Sequence, residues 1–363
     1  MTDISEQLVD QVNAALRNQT SLRIQGNNTK SELGRSPEEE GEIISTSLHK
    51  GVVQYEPVEL ILTARAGTTL DEIDKVLAEH NQMLACDPRR YNNEATIAGS
   101  LASNQSGNAR PWLGSLRDHV LGIRLINGKG EHLQFGGQVL KNVAGYDVSR
   151  LQAGAMGTLG VITEVSFKVL PKPAHGITLI KELSAEQALR EMNQLARSAK
   201  PLTGASWVDG KLHLRLQGAQ SAVSATAQQW QNELQATILE PEQADVYWHG
   251  FREHQLEFYK QRNTGEQLWR FSVKPNAPHF LDDEQWAFNW VGAQRWLKGS
   301  FDPQELQDFA GKAGGEVQLY EGGDRSGDIS FVTNDTLKKL HQNVKAAFDP
   351  QGIFNPGRLY SWL

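Results

Sequence analysis

The sequence predicts an α+β protein built in two parts. In residues 1–172, short β-branched runs alternate with stretches of amphipathic helical periodicity. After residue 173, strand-like runs are joined by hairpin signals such as Asp209-Gly210, which is typical of an antiparallel sheet. Most of the nine tryptophans lie in this second half, so the halves differ in composition. A chain of 363 residues is long enough for two domains.

Composition excludes several functional classes. The net charge of −7 argues against a nucleic-acid surface, and no apolar run is long enough to span a bilayer. The acidic, amphipathic N-terminus is unlike a secretory signal. Cys86 is the only cysteine, which excludes internal disulfides and an iron–sulfur cluster held by this chain alone. We therefore expect a cytoplasmic protein.

The first elements lead to a polar turn. Helical spacing of apolar residues predicts a helix over residues 4–16, and a short strand follows at 22–24. Gly26-Asn27-Asn28-Thr29 then forms a turn whose residues tolerate left-handed backbone. Successive amides in such a turn can hold an anion, and Lys30 adds charge beside them. An ordinary surface turn is the alternative.

Small residues follow the next strand–helix unit. Strands are predicted at 42–48 and 58–66, with a short segment at 51–57, and Thr68 or Thr69 caps the helix after them. Thr96 begins a second, thin helix. Its small and polar residues, with those just after it, are Ala98, Gly99, Ser103, Ser106 and Gly107. They allow a large planar ligand to pack closely, or else a tight helix–strand crossing.

The densest glycine cluster spans residues 136–160. Its glycines lie at 136, 137, 145, 154, 157 and 160, and a strand with Val161 and Ile162 follows. Such a cluster indicates either several tight turns or a backbone that approaches a bulky cofactor. A hairpin at Asn127-Gly128 precedes it.

The second half reads as one antiparallel α+β domain. Strands are predicted at 176–183, 203–217 (a hairpin), 267–274, 288–297 and 315–320, and helices at 185–198, 221–236, 242–260, 303–313 and 334–348. Rossmann, phosphate-loop, metalloprotease and nucleophile-elbow motifs are missing. We therefore assign no metal ligand, and the catalytic residues remain unknown.

Taken together, the motifs resemble the vanillyl-alcohol oxidase / p-cresol methylhydroxylase family of flavoproteins. The main matching pieces are RIQGNNTK, ATIAGSLASNQSG, GGQVLKNVAGYD, GAMGTLGVITEVSFKVLPKP and FDPQGIFNPGRL, which cover residues 20–173 and the last dozen or so. The resemblance implies a two-part FAD-binding fold with an antiparallel α+β cap. The FAD-binding domain would be 1–172, the cap 173–340, and residues 341–363 would return to the first domain.

The resemblance also assigns cofactor-binding residues. Gly26, Asn27, Asn28, Thr29 and Lys30 would hold the FAD pyrophosphate. Ala98, Gly99, Ser103, Ser106 and Gly107 would line the ring and ribityl chain. Gly157, Gly160 and Ile162 would pass along the cofactor, and Asn355 would lie near the ring. The pyrophosphate loop has neither His nor Cys, so the resemblance favours non-covalent FAD.

Within this family the run KNVAGYDVSRLQAGAMGTLGVI looks closest to the flavin-binding subunits of bacterial glycolate oxidases. That implies a sister flavin-binding catalytic subunit, an iron–sulfur subunit, a small 2-hydroxy-acid substrate, and electron flow to a quinone. It implies at most peripheral association with the inner face of the plasma membrane, through these partners, and the net charge of −7 argues against a nucleic-acid partner. Larger relatives carry a histidine-rich motif where GGDRSGD (322–328) stands, and often an acidic residue where Met156 stands. A self-sufficient dehydrogenase and a non-catalytic assembly subunit remain the alternatives.

Overall fold

The computed structural model describes residues 2–36, 41–137, 147–261, 263, 265–280, 282–332 and 334–363. The predictions made for 138–146, including Gly145 and most of GGQVLKNVAGYD, lie outside the described residues. The chain forms two compact units. The first unit comprises Met1–Ser106, Gly114–Pro171 and Arg325–Leu363, and the second comprises Gly107–Leu113 and Lys172–Asp324.

These units differ in two places from the expected domains of 1–172, 173–340 and 341–363. Gly107–Leu113 belongs to the second unit, and the chain returns to the first unit at Arg325 rather than at 341. Side-chain hydrogen bonds explain why the chain rejoins the first unit before residue 341. The Nε of Arg325 donates to the Gly34 carbonyl at 2.9 Å, and Asp328 accepts from the Ser361 amide at 2.7 Å.

Helices and strands occur throughout the described residues. The helices are α1 (Ser5–Asn18), α2 (Leu70–Ala78), α3 (Ile97–Ser103), α4 (Arg110–Leu113), α5 (Leu116–His119), α6 (Val148–Leu151), α7 (Ala185–Leu195), α8 (Gln220–Leu234), α9 (Pro241–Glu253), α10 (Glu257–Lys260), α11 (Pro303–Lys312) and α12 (Asp335–Phe348). The strands are β1 (Leu22–Gln25), β2 (Glu42–Ser45), β3 (Val52–Glu56), β4 (Ile61–Arg65), β5 (Gln82–Met83), β6 (Val120–Ile126), β7 (His132–Gly136), β8 (Val161–Lys168), β9 (Leu170–Pro171), β10 (His175–Glu182), β11 (Leu202–Val208), β12 (Lys211–Gly218), β13 (Thr237–Ile238), β14 (Gln267–Ser272), β15 (Trp286–Asn289), β16 (Gln294–Gly299) and β17 (Glu316–Glu321).

The first unit contains a five-stranded sheet in the order β3-β4-β8-β6-β7, in which every neighbouring pair is antiparallel. β8, the strand predicted after the glycine cluster, is its central strand, and Val165 and Phe167 are fully buried there. A separate parallel pair, β1-β2, packs against α1. The tail residue Phe354 completes this smaller core and forms an isolated bridge with Leu22.

The second unit is built on one eight-stranded antiparallel sheet in the order β13-β10-β12-β11-β15-β16-β14-β17. The capping residue Ser184 begins α7 with the reciprocal bonds of a capping box. The predicted α+β class is confirmed. In the part of the chain that the structure describes, no helix has both the length and the apolarity needed to cross a bilayer.

Two predicted elements of the second unit are each divided. The helix expected over 242–260 ends at Glu253, because His254 takes a left-handed φ of 59°, and α10 starts afresh at Glu257. The strand expected over 288–297 is interrupted by a 3-10 turn at Trp290–Gly292, where Val291 has a φ of 62°. A β-branched residue rarely adopts that conformation.

Arg295 explains the divided strand, because it bonds both to the turn and to carbonyls 17 and 18 residues earlier in the chain. Its side chain is fully buried, and it donates to the Gly292 carbonyl at 2.9 Å and the Pro278 carbonyl at 2.8 Å. It also donates to the carbonyl of Ala277. Burial lowers the pKa of this guanidinium to about 10. Tertiary hydrogen bonds of this kind override the local strand preference.

The buried His213 should make the second unit less stable at acidic pH. Its side chain is 5% exposed and stacks on Tyr247 with ring centroids 3.4 Å apart. Burial lowers the pKa of His213 to about 3, whereas in the unfolded chain it should be about 6.5. Between these values only the unfolded chain binds the proton. The free energy of unfolding should therefore fall by about 1.4 kcal/mol per unit as pH drops from 6.5 towards 3.

We expect thermal melts from pH 7.5 to 4.5 to show this loss in the wild type and a shallower loss in His213→Phe. His249→Phe, which removes an exposed histidine on α9, is the matched control and should behave as the wild type. Equal slopes for His213→Phe and the wild type would contradict the assignment.

Candidate cofactor-binding site

The first unit contains a cavity of about 370 Å³. Five segments form its wall: the end of β1 with the turn after it, β2 with the residue after it, α3, the turn leading into β8, and the C-terminal tail. Its lining residues are Arg23, Ile24, Gln25, Gly26, Asn27, Asn28, Thr29, Lys30, Ser31, Ile43, Thr46, Thr96, Ala98, Gly99, Ala102, Ser103, Met156, Gly157, Gly160, Ile162, Asn355 and Arg358. The volume falls in the usual range for small-molecule sites.

The turn at 26–29 presents backbone donors. Asn28 has a φ of 57°, the left-handed conformation that Asn tolerates. Among the described residues, the amides of Gly26, Asn27, Asn28 and Thr29 donate no hydrogen bond to a protein acceptor. The Asn27 side chain anchors the turn by donating to the Glu94 carbonyl at 2.9 Å. Such a run of amides is a binding feature for anions.

Gly26 lies directly against the start of α3. A Cβ at this position would lie 2.8 Å from the Thr96 Oγ1. That same oxygen accepts from the Gly99 amide at 3.3 Å and so caps α3. Of the turn residues expected to tolerate left-handed backbone, Asn28 makes the left-handed step, and Gly26 does not have a positive φ. Close packing, not backbone freedom, requires glycine here.

The large and the small residues of α3 lie on different sides of the helix. Ile97 and Leu101 are fully buried in the core of the first unit. Ala98, Gly99 and Ser103 line the cavity instead, so the helix presents a flat surface to it. The Ser103 Oγ donates back to the Gly99 carbonyl at 2.8 Å.

Two of the predicted site residues do not line this cavity. The Ser106 Oγ accepts from the Leu116 amide at 3.1 Å. Gly107 belongs to the second unit, where its carbonyl accepts from the Trp290 Nε1 at 2.8 Å. All the other residues predicted for cofactor binding are among the lining residues. Their contact with a cofactor remains a prediction.

Asn355 joins two walls of the cavity. Its Oδ1 accepts from the Ile24 amide at 2.8 Å, and its Nδ2 donates to the Met156 carbonyl at 2.7 Å. The neighbouring Gly157 has a φ of 73°, and a Cβ there would lie 2.6 Å from the Asn355 Nδ2. Glycine is therefore required for the tail to reach the turn.

The cavity is cationic. Arg23, Lys30 and Arg358 line it, and no Asp or Glu is present among the described lining residues. Lys30 Nζ donates to the Thr29 Oγ1 at 3.2 Å, and the buried Arg23 Nε has no hydrogen-bond partner among the residues that the structure describes. In a chain of net charge −7, this concentration of positive charge suits an anionic ligand.

Arg358 shapes the loop beside the turn. Its guanidinium donates to the carbonyls of Lys30 at 2.9 Å, Ser31 at 3.0 Å and Arg35 at 2.9 Å. Burial lowers its pKa to about 10, so it stays protonated at neutral pH. We did not name Arg23 or Arg358 as site residues from the sequence, although RIQGNNTK and FDPQGIFNPGRL contain them, and we noted Met156 only as the replacement of an acidic residue.

The residues present fit a flavin dinucleotide. The amides of 26–29 and the cationic side chains of the cavity suit a diphosphate, and the small face of α3 suits a ring system. Residues 3–136 match the family described as FAD binding domain, and residues 332–359 match FAD linked oxidases, C-terminal domain. Over 362 residues the chain is 41% identical to glycolate oxidase subunit GlcE of Escherichia coli (strain K12), covering 99% of both chains.

The chain belongs to the GlcE family of glycolate oxidase subunits. It is an FAD-dependent oxidoreductase subunit, and its cofactor is FAD. Glycolate oxidase subunit GlcD of Bacillus subtilis is a more distant relative, 29% identical over 40% of this chain and 31% of that protein. A D-lactate dehydrogenase of Archaeoglobus fulgidus is 23% identical over 96% of this chain and 89% of that protein.

Solved structures agree on the fold. p-Cresol methylhydroxylase with substrate bound gives a TM-score of 0.74 at 14% identity and covers 99% of this chain and 87% of that one. Alkyldihydroxyacetonephosphate synthase gives a TM-score of 0.66 at 15% identity, with 97% and 75% covered. The resemblance to this flavoprotein family, predicted from the motifs, is confirmed.

Proposed function

We propose that this chain is the FAD-binding subunit of a glycolate oxidase complex and that it holds FAD non-covalently in the cavity of the first unit. One observation carries the proposal: the free amides of 26–29 lie in a cavity lined by Arg23, Lys30 and Arg358 and by no described carboxylate. Amides and cations together are the donors that a diphosphate requires.

Each wall has a role in holding the cofactor. The 26–29 amides and Lys30 bind the diphosphate, and Arg358 keeps the loop behind them in place through three backbone carbonyls. The small face of α3, Gly157, Gly160 and Ile162 leave room for the ribityl chain and the ring. When bound, FAD would supply the two-electron acceptor.

The substrate and partners follow from the relatives. The E. coli relative is named a glycolate oxidase subunit, which supports glycolate, oxidised to glyoxylate, as the substrate of the complex. We propose a sister flavin-binding catalytic subunit and an iron–sulfur subunit that passes electrons to quinone. Cys86 is 1% exposed and burial raises its pKa to about 12, so its thiol is not available as a cluster ligand.

The contacts of segment 322–328 favour a subunit that assists a catalytic partner over a self-sufficient dehydrogenase. The Arg325 Nε donates to the Gly34 carbonyl, and Asp328 binds the amide and hydroxyl of Ser361. These side chains therefore hold the segment to the first unit.

No group of three or more His, Cys, Asp or Glu residues that could hold a metal occurs in the described part of the chain. We propose a cytoplasmic location, with membrane contact only through partner subunits.

The test is a purified chain without its partners. We expect yellow protein that glycolate and D-lactate do not bleach, because the catalytic subunit is missing. Protein bleached by either acid would instead establish a self-sufficient dehydrogenase. Colourless protein that binds no added FAD but still binds the other subunits would establish an assembly role.

We predict that acid precipitation releases all flavin into the supernatant. The described cavity-lining residues include neither His nor Cys, the side chains through which the resemblance allows covalent attachment. The measurement is flavin fluorescence of the supernatant and of the washed pellet. Fluorescence that stays with the polypeptide would contradict non-covalent binding.

A further inference from the structure

A buried ion pair lies next to the C-terminal tail. The Lys345 Nζ, at the end of α12, is 2.7 Å from the Asp349 Oδ2, and the two side chains are 10% and 0% exposed. Removing two charges from water is costly, and an apolar pair of similar volume is often as stable. Stability alone therefore does not account for charged residues at this place.

Lys345 connects three segments of the first unit. Besides Asp349, its ammonium group donates to the Thr158 carbonyl at 2.8 Å and the Phe354 carbonyl at 2.8 Å. An ammonium group has three donors, so each one is satisfied. Burial lowers the pKa of Lys345, while Asp349 acts to raise it.

Asp349 fixes the tail from the other side. Its Oδ1 accepts from the Ile353 amide at 3.1 Å, and its Oδ2 accepts from the Phe354 amide at 2.8 Å. The Asp349 backbone also packs against Gly128, where a Cβ would lie 2.6 Å from the Asp349 Cα. The path of residues 349–354 is thus fixed by one carboxylate and one ammonium group.

Both segments held by Lys345 continue directly into the cavity wall. Phe354 precedes Asn355, which bonds to Ile24 and Met156, and Thr158 follows Gly157. Asn355 and Gly157 approach so closely that no Cβ fits between them. A small shift of either segment would therefore separate the Asn355 amide from its partners.

We propose that Lys345 is a positioning residue for FAD, which holds Asn355 and the 156–158 turn at the spacing that the cavity requires. This inference rests on the proposed function of the cavity. Lys345 does not itself line the cavity, so it acts through these two segments.

The test compares FAD affinity in Lys345→Met with that of a matched control. Arg295→Met removes another buried cation that donates to backbone carbonyls, but in the second unit. Each apoprotein is titrated with FAD by quenching of flavin fluorescence, and its melting temperature is measured without FAD. Both variants should melt earlier. Only Lys345→Met should bind FAD about tenfold more weakly, the equivalent of one lost hydrogen bond, with an altered flavin absorption band.

Asp349→Asn keeps the shape of the tail but removes the charge that faces Lys345. It should bind FAD more weakly than the wild type. If Lys345→Met does not fold, the FAD affinity of this variant tests the positioning role instead. Wild-type affinity and an unchanged flavin spectrum in a folded variant would overturn the positioning role. Failure of the wild-type chain to bind FAD would contradict the proposed function itself, which is a different result.

Discussion

Gly26→Val is expected to raise the dissociation constant for FAD by at least about a hundredfold, the equivalent of two lost hydrogen bonds to a charged group. A Cβ at this position would already lie 2.8 Å from the Thr96 Oγ1, and valine adds two methyl groups beyond it. The turn must then move away from α3, which displaces the amides of 26–29. The measurement is titration of the apoprotein with FAD.

The fold should suffer much less than the affinity. Loss of the Thr96 cap costs about 1 kcal/mol, so the FAD-free chain should melt only a few degrees earlier, roughly 2–4 °C. Gly311→Val is the matched control, because a Cβ at Gly311 meets no atom within 4 Å and its φ is not positive. Full FAD affinity in Gly26→Val would show that this turn does not hold the cofactor.

Asn355→Ala should weaken FAD binding by about tenfold or more, since it leaves the Ile24 amide and the Met156 carbonyl without their partner. Alanine also tolerates the left-handed φ of 41° less well than asparagine does. Thermal melts with and without excess FAD report the effect. Ligand at a hundredfold its Kd stabilises a protein by about 2.7 kcal/mol, and this gain should shrink in the variant.

Asn193→Ala controls for the loss of an asparagine that bonds to backbone. Its Nδ2 donates to the carbonyls of Leu189 and Val291 in the second unit. It should lower the melting temperature and leave the FAD-dependent shift as in the wild type. An undiminished FAD-dependent shift in Asn355→Ala would contradict the role of the tail at the cavity.

Local signals in the sequence predicted most elements of the fold. Thr69 and Ser184 begin helices with capping boxes, and the alternation of strands and helices gave the α+β class. The turn at Trp290–Gly292 could not be predicted, because Arg295, which bonds to the Gly292 carbonyl, is itself held by the carbonyls of Pro278 and Ala277, 17 and 18 residues earlier. Nothing within the strand pattern itself signals such a contact.

Some residues of the candidate site could likewise be predicted from the sequence, and others could not. Gly26, Gly99 and Gly157 could be named from the sequence, because the resemblance to the flavoprotein family assigns them to the cofactor. Arg358 could not, since its three carbonyl acceptors lie about 325 residues earlier in the chain. Gly107 was expected at the cavity, but the second unit binds it through Trp290. Such long-range pairings are set by the whole fold.

Hydrogen–deuterium exchange with and without FAD tests the central claim most directly. The claim is that FAD lies in the cavity of the first unit with its diphosphate on the 26–29 amides, which make no protein hydrogen bond in the described structure. Saturating FAD should slow exchange most strongly in the peptide that contains these amides, and also in peptides covering 97–103, 156–162 and 353–358. Exchange of the 26–29 amides at the same rate with and without bound FAD would contradict the claim.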